Sequence, residues 1–267
     1  MENIKSSLYN LRLLDDLAHL DSFIHKLHPL IKLLTTIVFL VTVVSFQKTE
    51  IIRLIPFFFY PILIFTLAEI PLLPILKRVL LVAPFIIGIG IFNPMFDQHS
   101  VFILGIEIAQ GWLTFISLCV KGLLTVTASL LLIATTGMER IAAALRTLKV
   151  PKLFVMQLLL TYRYISVLIE EVGRMLRAYS LRAPGQKGIE RNAWGPFAGQ
   201  LILRTFERAQ RVYQAMNLRG FTGEYYTGTS AKFGMKDLVY FAGWSLLFIL
   251  SRLYNLPLLL GQMFTGG

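Results

Sequence analysis

The sequence predicts an all-α integral membrane protein, with about five transmembrane helices and two long cytoplasmic helices. Two observations indicate this class. Of the 267 residues, 55% are hydrophobic and only 15% are charged, whereas soluble domains carry about 25% charged residues. The mean hydropathy is +0.66, and the apolar residues gather in stretches near the roughly 17 to 25 residues that a spanning helix needs.

Five apolar stretches have the length and composition of membrane spans. They are Leu30–Phe46, Ile51–Ala68, Val79–Phe96, Ile108–Ala134 and Leu238–Leu260. Prolines and glycines interrupt the third stretch. It follows Ile70–Leu76, an apolar stretch with two prolines that lies either at the membrane interface or in a further crossing. The sequence therefore predicts five spans and leaves a sixth open.

Charge and hydropathy divide the chain into four predicted segments. They are residues 1–29 as an N-terminal cytoplasmic segment, 30–134 as spans one to four, 135–235 as a cytoplasmic region, and 236–267 as the last span with the C-terminus. Residues 135–235 carry 15 Lys and Arg against 6 Asp and Glu, which is +9 of the net charge of +11. Because basic residues favour the cytoplasmic side, five spans place the N-terminus inside and the C-terminus outside.

The basic region is predicted to form three helices. They cover Met138–Leu148, about Lys152–Leu181, and a third stretch that opens at Pro196 and ends at Gly220. Arginines alternate with apolar residues at helical spacing, which favours amphipathic helices over a nucleic-acid-binding surface. We therefore expect no nucleic-acid partner, while anionic lipid headgroups stay a competing partner for part of this charge.

The second and third of these helices share one sparse pattern, 37 residues apart. The first copy is Glu170, Arg174, Ala178, Leu181, Arg182 and Ala183, and the second is Glu207, Arg211, Ala215, Leu218, Arg219 and Gly220. Glu and Arg at i,i+4 share a helical face and support the helix, and an arginine beside a small residue closes it. Two helices that end alike suit a dimeric cytoplasmic partner with two equivalent sockets. The alternative is that both arginines are only favourable cations at helix ends, worth up to about 1 kcal/mol each.

No motif in the sequence indicates catalysis. The P-loop pattern Gly-x4-Gly-Lys-Ser/Thr is absent, so energy for any ATP-driven process must come from a partner. The serines Ser22, Ser45 and Ser180 lack the context of a nucleophile elbow. We therefore expect a non-catalytic chain. An intramembrane enzyme and a membrane scaffold that moves nothing stay open as alternatives.

Histidines near the N-terminus raise the possibility of a metal site. The residues concerned are His19, His25 and His28, with Asp15, Asp16 and Asp21 close by. Such side chains can bind a divalent transition metal, but Pro29 redirects the segment and the spacing argues against a designed site. The single cysteine, Cys119, excludes an intramolecular disulfide and a cysteine-based metal site. We expect no metal ligands in this chain.

Lys121 lies near the middle of the fourth predicted span. An ionised lysine at that depth is costly unless it is paired, reaches the interface or faces a polar interior. The sequence leaves two roles open: a contact to another subunit, or a solvated or neutral lysine within this chain.

Several segments together resemble a known family. They are Ala134–Pro151 (ATTGMERIAAALRTLKVP), Leu160–Tyr164 (LTYRY), Arg211–Phe221 (RVYQAMNLRGF), and the N-terminal residues Asp21, Ser22, Ile24, His25, Leu27, Pro29 and Lys32. In this order they resemble the CbiQ family, the transmembrane T component of cobalt/nickel-type energy-coupling factor transporters. The resemblance covers nearly the whole chain.

This resemblance implies a subunit of an ATP-driven importer in the prokaryotic cell (inner) membrane. Such T components couple two ABC-type ATPase subunits to a substrate-binding membrane subunit, here a CbiM-like one, with or without a small CbiN-like subunit. The ATPases bind ATP and the partner subunit holds the metal, so no cofactor is expected in this chain. Cobalt is the favoured substrate, with nickel and vitamins as alternatives.

The resemblance also assigns roles at the two helix ends. Coupling helices of the family end in Ala-Arg-Gly-type motifs whose arginines dock in grooves on the ATPases, and by position these are Arg182 and Arg219. This sequence has leucine before each arginine and Ala183 in place of the first glycine. Both charges are retained. The expected docking residues are therefore Leu181, Arg182, Ala183, Leu218, Arg219 and Gly220.

Overall fold

The structure is a computed structural model that describes residues 15–48, 50–96, 100–103, 106–185, 188–223 and 233–254. Its described residues are predominantly helical, which confirms the predicted all-α membrane class. The chain forms two compact units. We name Asp16–Gly137 with Ala231–Gly267 the bundle unit, and Met1–Asp15 with Met138–Ser230 the arm unit.

The described residues form helices in the following chain order. They are α1 (Pro29–Val44), α2 (Phe59–Ala68), α3 (Leu72–Gly90), α4 (Phe92–Phe96), α5 (Gln110–Thr136), α6 (Met138–Thr147), α7 (Lys152–Arg182), α8 (Trp194–Leu218) and α9 (Met235–Leu253), with 3-10 turns at Ile52–Phe58 and Arg191–Ala193. The bundle unit contains α1 to α5 and α9, and the arm unit contains α6 to α8.

Three helices within the described residues are long and apolar enough to cross a membrane. By length and composition they are Leu72–Pro94, Gln110–Thr136 and Lys152–Arg182, while Pro29–Val44 and Ile52–Ala68 are shorter apolar helices. The segment Lys152–Arg182 was predicted as a cytoplasmic helix, and its length and composition also fit a span. The predicted last span, Leu238–Leu260, begins inside α9, but its residues 255–260 lie outside the described part of the chain.

The structure changes the starts of the predicted third and fourth spans. The third begins at Leu72 rather than Val79. The stretch Ile70–Leu76 is not a separate helix, because α3 begins at Leu72 with Pro71 as its N-cap, where proline costs no helical hydrogen bond. The predicted fourth span begins at Gln110 rather than Ile108. Residues Ser100–Ile103 and Ile106–Ala109 instead form a two-stranded antiparallel hairpin, in keeping with their β-branched composition.

An aromatic cluster forms the core of the bundle unit. Phe39 of α1, Phe57 of the first 3-10 turn and Phe248 of α9 are fully buried. The ring centroid of Phe39 lies 4.8 Å from that of Tyr60 and 5.3 Å from that of Phe248, and Phe57 stacks on Phe248 at 5.8 Å. Between membrane helices such close packing replaces the hydrophobic effect as the attractive force. The cluster therefore joins α1, α2 and α9.

Glycines bring α3 and α5 into close contact. A Cβ atom added at Gly90 would lie 2.8 Å from the Phe115 ring, and one added at Gly122 would lie 2.8 Å from Ile86. No real Cβ contact is that short, so both positions require glycine unless a side chain moves. Small residues at such crossings allow membrane helices to approach closely.

In the bundle unit, charged side chains form hydrogen bonds with backbone groups at helix ends. The carboxylate of Asp237 accepts the N–H of His28 at 2.7 Å and the N–H of Gly234 at 2.8 Å, so one buried carboxylate caps the starts of both α1 and α9. The buried Lys32 donates from Nζ to the Thr135 carbonyl, 2.8 Å away, at the end of α5. The contact of Asp237 with His28 and that of Lys32 with Thr135 each join residues more than 100 positions apart.

Lys121 has a partner within its own chain. Its Nζ donates to the Phe46 carbonyl at 2.6 Å, just beyond the end of α1. The Arg252 guanidinium lies 4.7 Å from the centroid of the Phe46 ring and donates to the Ser45 carbonyl at 3.3 Å. This lysine therefore helps to close the end of α1, an arrangement that neither sequence alternative specified.

Replacement of Lys32 by methionine tests this helix-end pairing. We expect Lys32→Met to lower the free energy of unfolding by about 1 to 3 kcal/mol, because the Thr135 carbonyl loses a charged donor. The exposed Lys26 offers a matched control, and Lys26→Met should change it by less than about 0.5 kcal/mol. Thermal unfolding in detergent measures both. Equal midpoints for the two variants would contradict the assigned role of Lys32.

Candidate docking site at the helix ends

The first predicted docking residue lies at the end of α7. Arg182 is the last helical residue and is exposed, and the preceding Leu181 has 82% of its surface exposed. The N–H of Ala183 donates to the Tyr179 carbonyl at 3.0 Å, the usual spacing of a helical hydrogen bond. Ala183 then leaves the helix with φ −126° and ψ 69°, so its φ is negative and it does not adopt the left-handed conformation.

The second predicted docking residue lies at the end of α8, in a different cap. Leu218, with 90% of its surface exposed, ends the helix and Arg219 is the C-cap. Gly220 adopts φ +77°. Its N–H donates to the Asn217 carbonyl at 3.0 Å, and the N–H of the following phenylalanine donates to the Met216 carbonyl at 3.0 Å. This pair of bonds is the Schellman motif, which needs a left-handed residue and therefore favours glycine.

The prediction that the two helices end alike is therefore wrong in detail. Arg182 is helical, whereas Arg219 lies one position beyond its helix. The reason is the residue that follows, because Gly220 adopts the left-handed conformation and Ala183 does not. What the two ends share is an exposed arginine directly after an almost fully exposed leucine.

The two predicted Glu–Arg pairs lie in α7 and α8. Glu207 and Arg211 lie 3.7 Å apart on the surface of α8, where such a pair is worth a few tenths of a kcal/mol. In α7, Arg174 contacts a carboxylate that the prediction did not include. Its Nε donates to Glu171 at 3.2 Å, one residue beyond the exposed Glu170, since Glu171 lies on the buried side of α7.

Sequence reasoning missed the cluster around Glu171. This carboxylate also accepts from Arg204 of α8, with Nη1 to Oε1 at 2.6 Å, and the Arg208 guanidinium lies 3.8 Å from Oε2. Arg204 and Arg208 are four residues apart on one helical face, a spacing that the sequence shows but whose partner it does not identify. The cluster also borders a small cleft between α7 and α8, which Val167, Leu168, Thr205 and Glu207 help to line.

The N-terminal histidines have structural partners. His25 is buried, and its Nε2 donates to the Leu17 carbonyl at 3.0 Å. A carbonyl only accepts, so Nδ1 is the acceptor for the Ser22 hydroxyl at 2.7 Å. The Nδ1 of His28 accepts the N–H of Leu30 at the start of α1. Among residues 15–48, 50–96, 100–103, 106–185, 188–223 and 233–254, no group of three or more His, Cys, Asp or Glu is arranged to hold a metal.

One protein-family model matches a part of this chain that includes the ends of both α7 and α8. The family described as CbiQ, cobalt transport protein, matches residues 21–228. MJ1571 of Methanocaldococcus jannaschii, named as an uncharacterized protein, is 28% identical over 219 residues, which are 78% of this chain and 74% of that protein. The nickel permease LarQ of Lactiplantibacillus plantarum is 28% identical over 103 residues, or 39% of this chain and 38% of LarQ. The chain thus matches less than half the length of LarQ.

Substitution of Gly220 tests the cap of α8. A Cβ atom at this position would meet nothing within 4 Å, so Gly220→Ala isolates the cost of the left-handed backbone. We expect a loss of about 1 kcal/mol in the local stability of the last turn. Faster amide hydrogen exchange at residues 216–221, followed by mass spectrometry, would report it.

Gly199 supplies the matched control within the same helix. It also has open space around the Cβ position, but it lies inside α8 in helical conformation. Gly199→Ala should therefore slow exchange, since alanine stabilises a helix interior by up to about 1 kcal/mol relative to glycine. Effects of the same sign in both variants would contradict the assigned cap.

Proposed function

The chain belongs to the CbiQ family of cobalt transport proteins, and from this premise we propose that it is the transmembrane coupling subunit of an ATP-driven transition-metal importer. Membership supports a membrane component of metal-ion transport. The proposal adds the coupling role, the ion and the partners. The partners are two ABC-type ATPase subunits and a substrate-binding membrane subunit, in a prokaryotic cell membrane with the N-terminus of this chain in the cytoplasm.

The observation that carries the proposal is the shared surface of the two helix ends. Leu181 and Leu218 are each more than four fifths exposed, and each directly precedes an exposed arginine. Protein contacts commonly centre on an apolar anchor beside an arginine. The planar guanidinium can bind a carboxylate or several carbonyls at once, which lysine cannot. Two such ends on neighbouring helices support docking to two ATPase subunits.

The proposed mechanism is mechanical. ATP binding draws the two ATPase subunits together, and their grooves carry the ends of α7 and α8 with them. The angle between these helices then changes, and the motion reaches the substrate-binding subunit. This chain binds neither ATP nor the metal in the proposal. Its contribution is to convert the approach of the ATPases into a movement at the membrane.

Co²⁺ is the proposed substrate, and Ni²⁺ is the second candidate. The description of the matching family favours cobalt, and the partial similarity to a protein named as a nickel permease favours nickel. A vitamin substrate is a third outcome, because the coupling motif does not depend on what the substrate-binding subunit holds. The ion must therefore be determined on the assembled transporter.

Charge reversal at both helix ends tests the docking. We expect Arg182→Glu combined with Arg219→Glu to lower recovery of the ATPase subunits by at least about tenfold in a pull-down from detergent-solubilised membranes. The reason is that each socket would then face a carboxylate instead of a guanidinium. Membrane yield of the tagged chain should not change, because both positions are exposed.

Arg177 and Arg191 provide the control for net charge. Both are exposed; Arg177 lies within α7, before its last turn, and Arg191 lies in the 3-10 turn that precedes α8. Arg177→Glu combined with Arg191→Glu makes the same change in net charge and should retain ATPase recovery. Equal losses in the two double variants would show a general effect of charge and would contradict docking at Arg182 and Arg219.

Uptake by the complete transporter tests the substrate. We expect proteoliposomes that contain all subunits and internal ATP to accumulate radioactive Co²⁺ faster than Ni²⁺. With the double variant at Arg182 and Arg219, the rate of uptake with ATP should equal the rate in vesicles without ATP. Faster accumulation of Ni²⁺ would reassign the ion. Intact ATPase binding without uptake of either ion would favour a scaffold or a vitamin transporter.

A further inference from the structure

Glu171 of α7 connects the two helices that carry the docking ends. Its side chain is 11% exposed, and both of its oxygens are used. Oε2 accepts from Arg174 of the same helix, and Oε1 accepts from Arg204 of α8 at 2.6 Å. The Arg208 guanidinium adds a second positive charge from α8 at 3.8 Å. One carboxylate is thus shared by three guanidinium groups, two of which belong to the other helix.

The apolar contacts of α8 are weak by comparison. None of the described side chains of this 25-residue helix is buried. Large apolar side chains such as Ile202, Leu203 and Phe206 are more than half exposed. Since burial of apolar surface is the usual force that holds one helix on another, the lack of fully buried side chains on the described part of α8 gives the polar contacts a larger share in holding it. The partly buried bond from Arg204 to Glu171 is the strongest of these by its charge and length.

We propose that Glu171 is the joint that sets the angle between α7 and α8, and that its bond to Arg204 transmits movement from one docking end to the other. The consequence of this joint for transport rests on the proposed function. The joint itself involves only residues of the arm unit and does not depend on that function. Glu171 touches neither a partner nor a substrate in the proposal. It is a positioning residue.

The charges explain why this joint is sensitive to single changes. With Glu171 in place, one negative charge offsets part of the repulsion among three arginines. Without the Arg204 bond, the carboxylate remains paired with Arg174 on its own helix, and only the longer contact to Arg208 still connects it to α8. Helix α7 should therefore stay intact while the angle between α7 and α8 becomes variable.

Arg174 and Arg204 form a matched pair for the experiment. Both bind the same carboxylate, their side chains are 47% and 48% exposed, and glutamine removes the same charge from each. Arg174→Gln breaks a contact within α7, whereas Arg204→Gln breaks the shorter of the two contacts that Glu171 makes with α8. A general effect of charge or of folding would affect both variants equally.

The measurement is the distance distribution between spin labels on the two helices. The full chain in lipid nanodiscs would carry Cys119→Ala with labels at Ser180→Cys and Gln214→Cys, both exposed positions. We expect pulsed electron paramagnetic resonance to show a broadened distribution for Arg204→Gln and an unchanged width for Arg174→Gln. Arg204→Lys, which retains the charge and one donor, should restore most of the original width. Equal widths for Arg174→Gln and Arg204→Gln would overturn the joint.

The complete transporter then shows whether the joint matters for coupling. We expect Arg204→Gln to lower the metal taken up per ATP hydrolysed by about tenfold, a typical factor for coupled sites. Recovery of the ATPase subunits should be normal, as should membrane yield. If Arg204→Gln broadens the distance distribution but leaves the metal taken up per ATP hydrolysed unchanged, the bond has no role in transmitting movement. Failure of docking at Arg182 and Arg219 would be seen separately, since the distance measurement uses this chain without its partners.

Discussion

Charged side chains at helix ends are the interaction on which this structure depends. Backbone groups in the first and last turn of a helix lack partners within it, and the membrane interior offers no water to replace them. In the bundle unit, Asp237 supplies acceptors to two helix starts, while Lys32 and Lys121 supply donors to carbonyls at or just beyond helix ends. The bonds to His28, Thr135 and Phe46 join remote segments of the chain, so the same bond that completes a helix also positions its neighbour.

The two units use charge in opposite ways. In the bundle unit, charges at helix ends are turned inward, and a buried aromatic cluster packs the helices around them. In the arm unit, the arginines at the ends of α7 and α8 are exposed, and α8 buries none of its described side chains. The first arrangement favours a rigid body. The second leaves charge and apolar surface free to meet a partner, and it makes the Glu171 contact more important than a single ion pair usually is.

Local sequence patterns predicted much of this fold, but they could not predict contacts between residues that are distant in the sequence. Hydropathy indicated the class and most of the helices, and Pro151 and Gly220 marked boundaries because proline and glycine act within a few residues. The partner of Lys121 is 75 positions away, and that of Glu171 on α8 is 33 positions away. No local rule selects such partners. The short hairpin was missed because a largely apolar strand of four residues cannot be distinguished from the start of a helix by periodicity.

The different caps of α7 and α8 have a consequence for assembly. The end of α8 is held by two hydrogen bonds around a left-handed glycine, whereas Ala183, after the end of α7, has a negative φ and forms no such motif. An ordered end loses less conformational entropy on binding than one that must be ordered first. In the proposed complex, two identical sockets would therefore bind these ends with different affinities. At limiting concentrations of the ATPase subunit, the end of α8 would be occupied before the end of α7, and a half-assembled complex would precede the complete one.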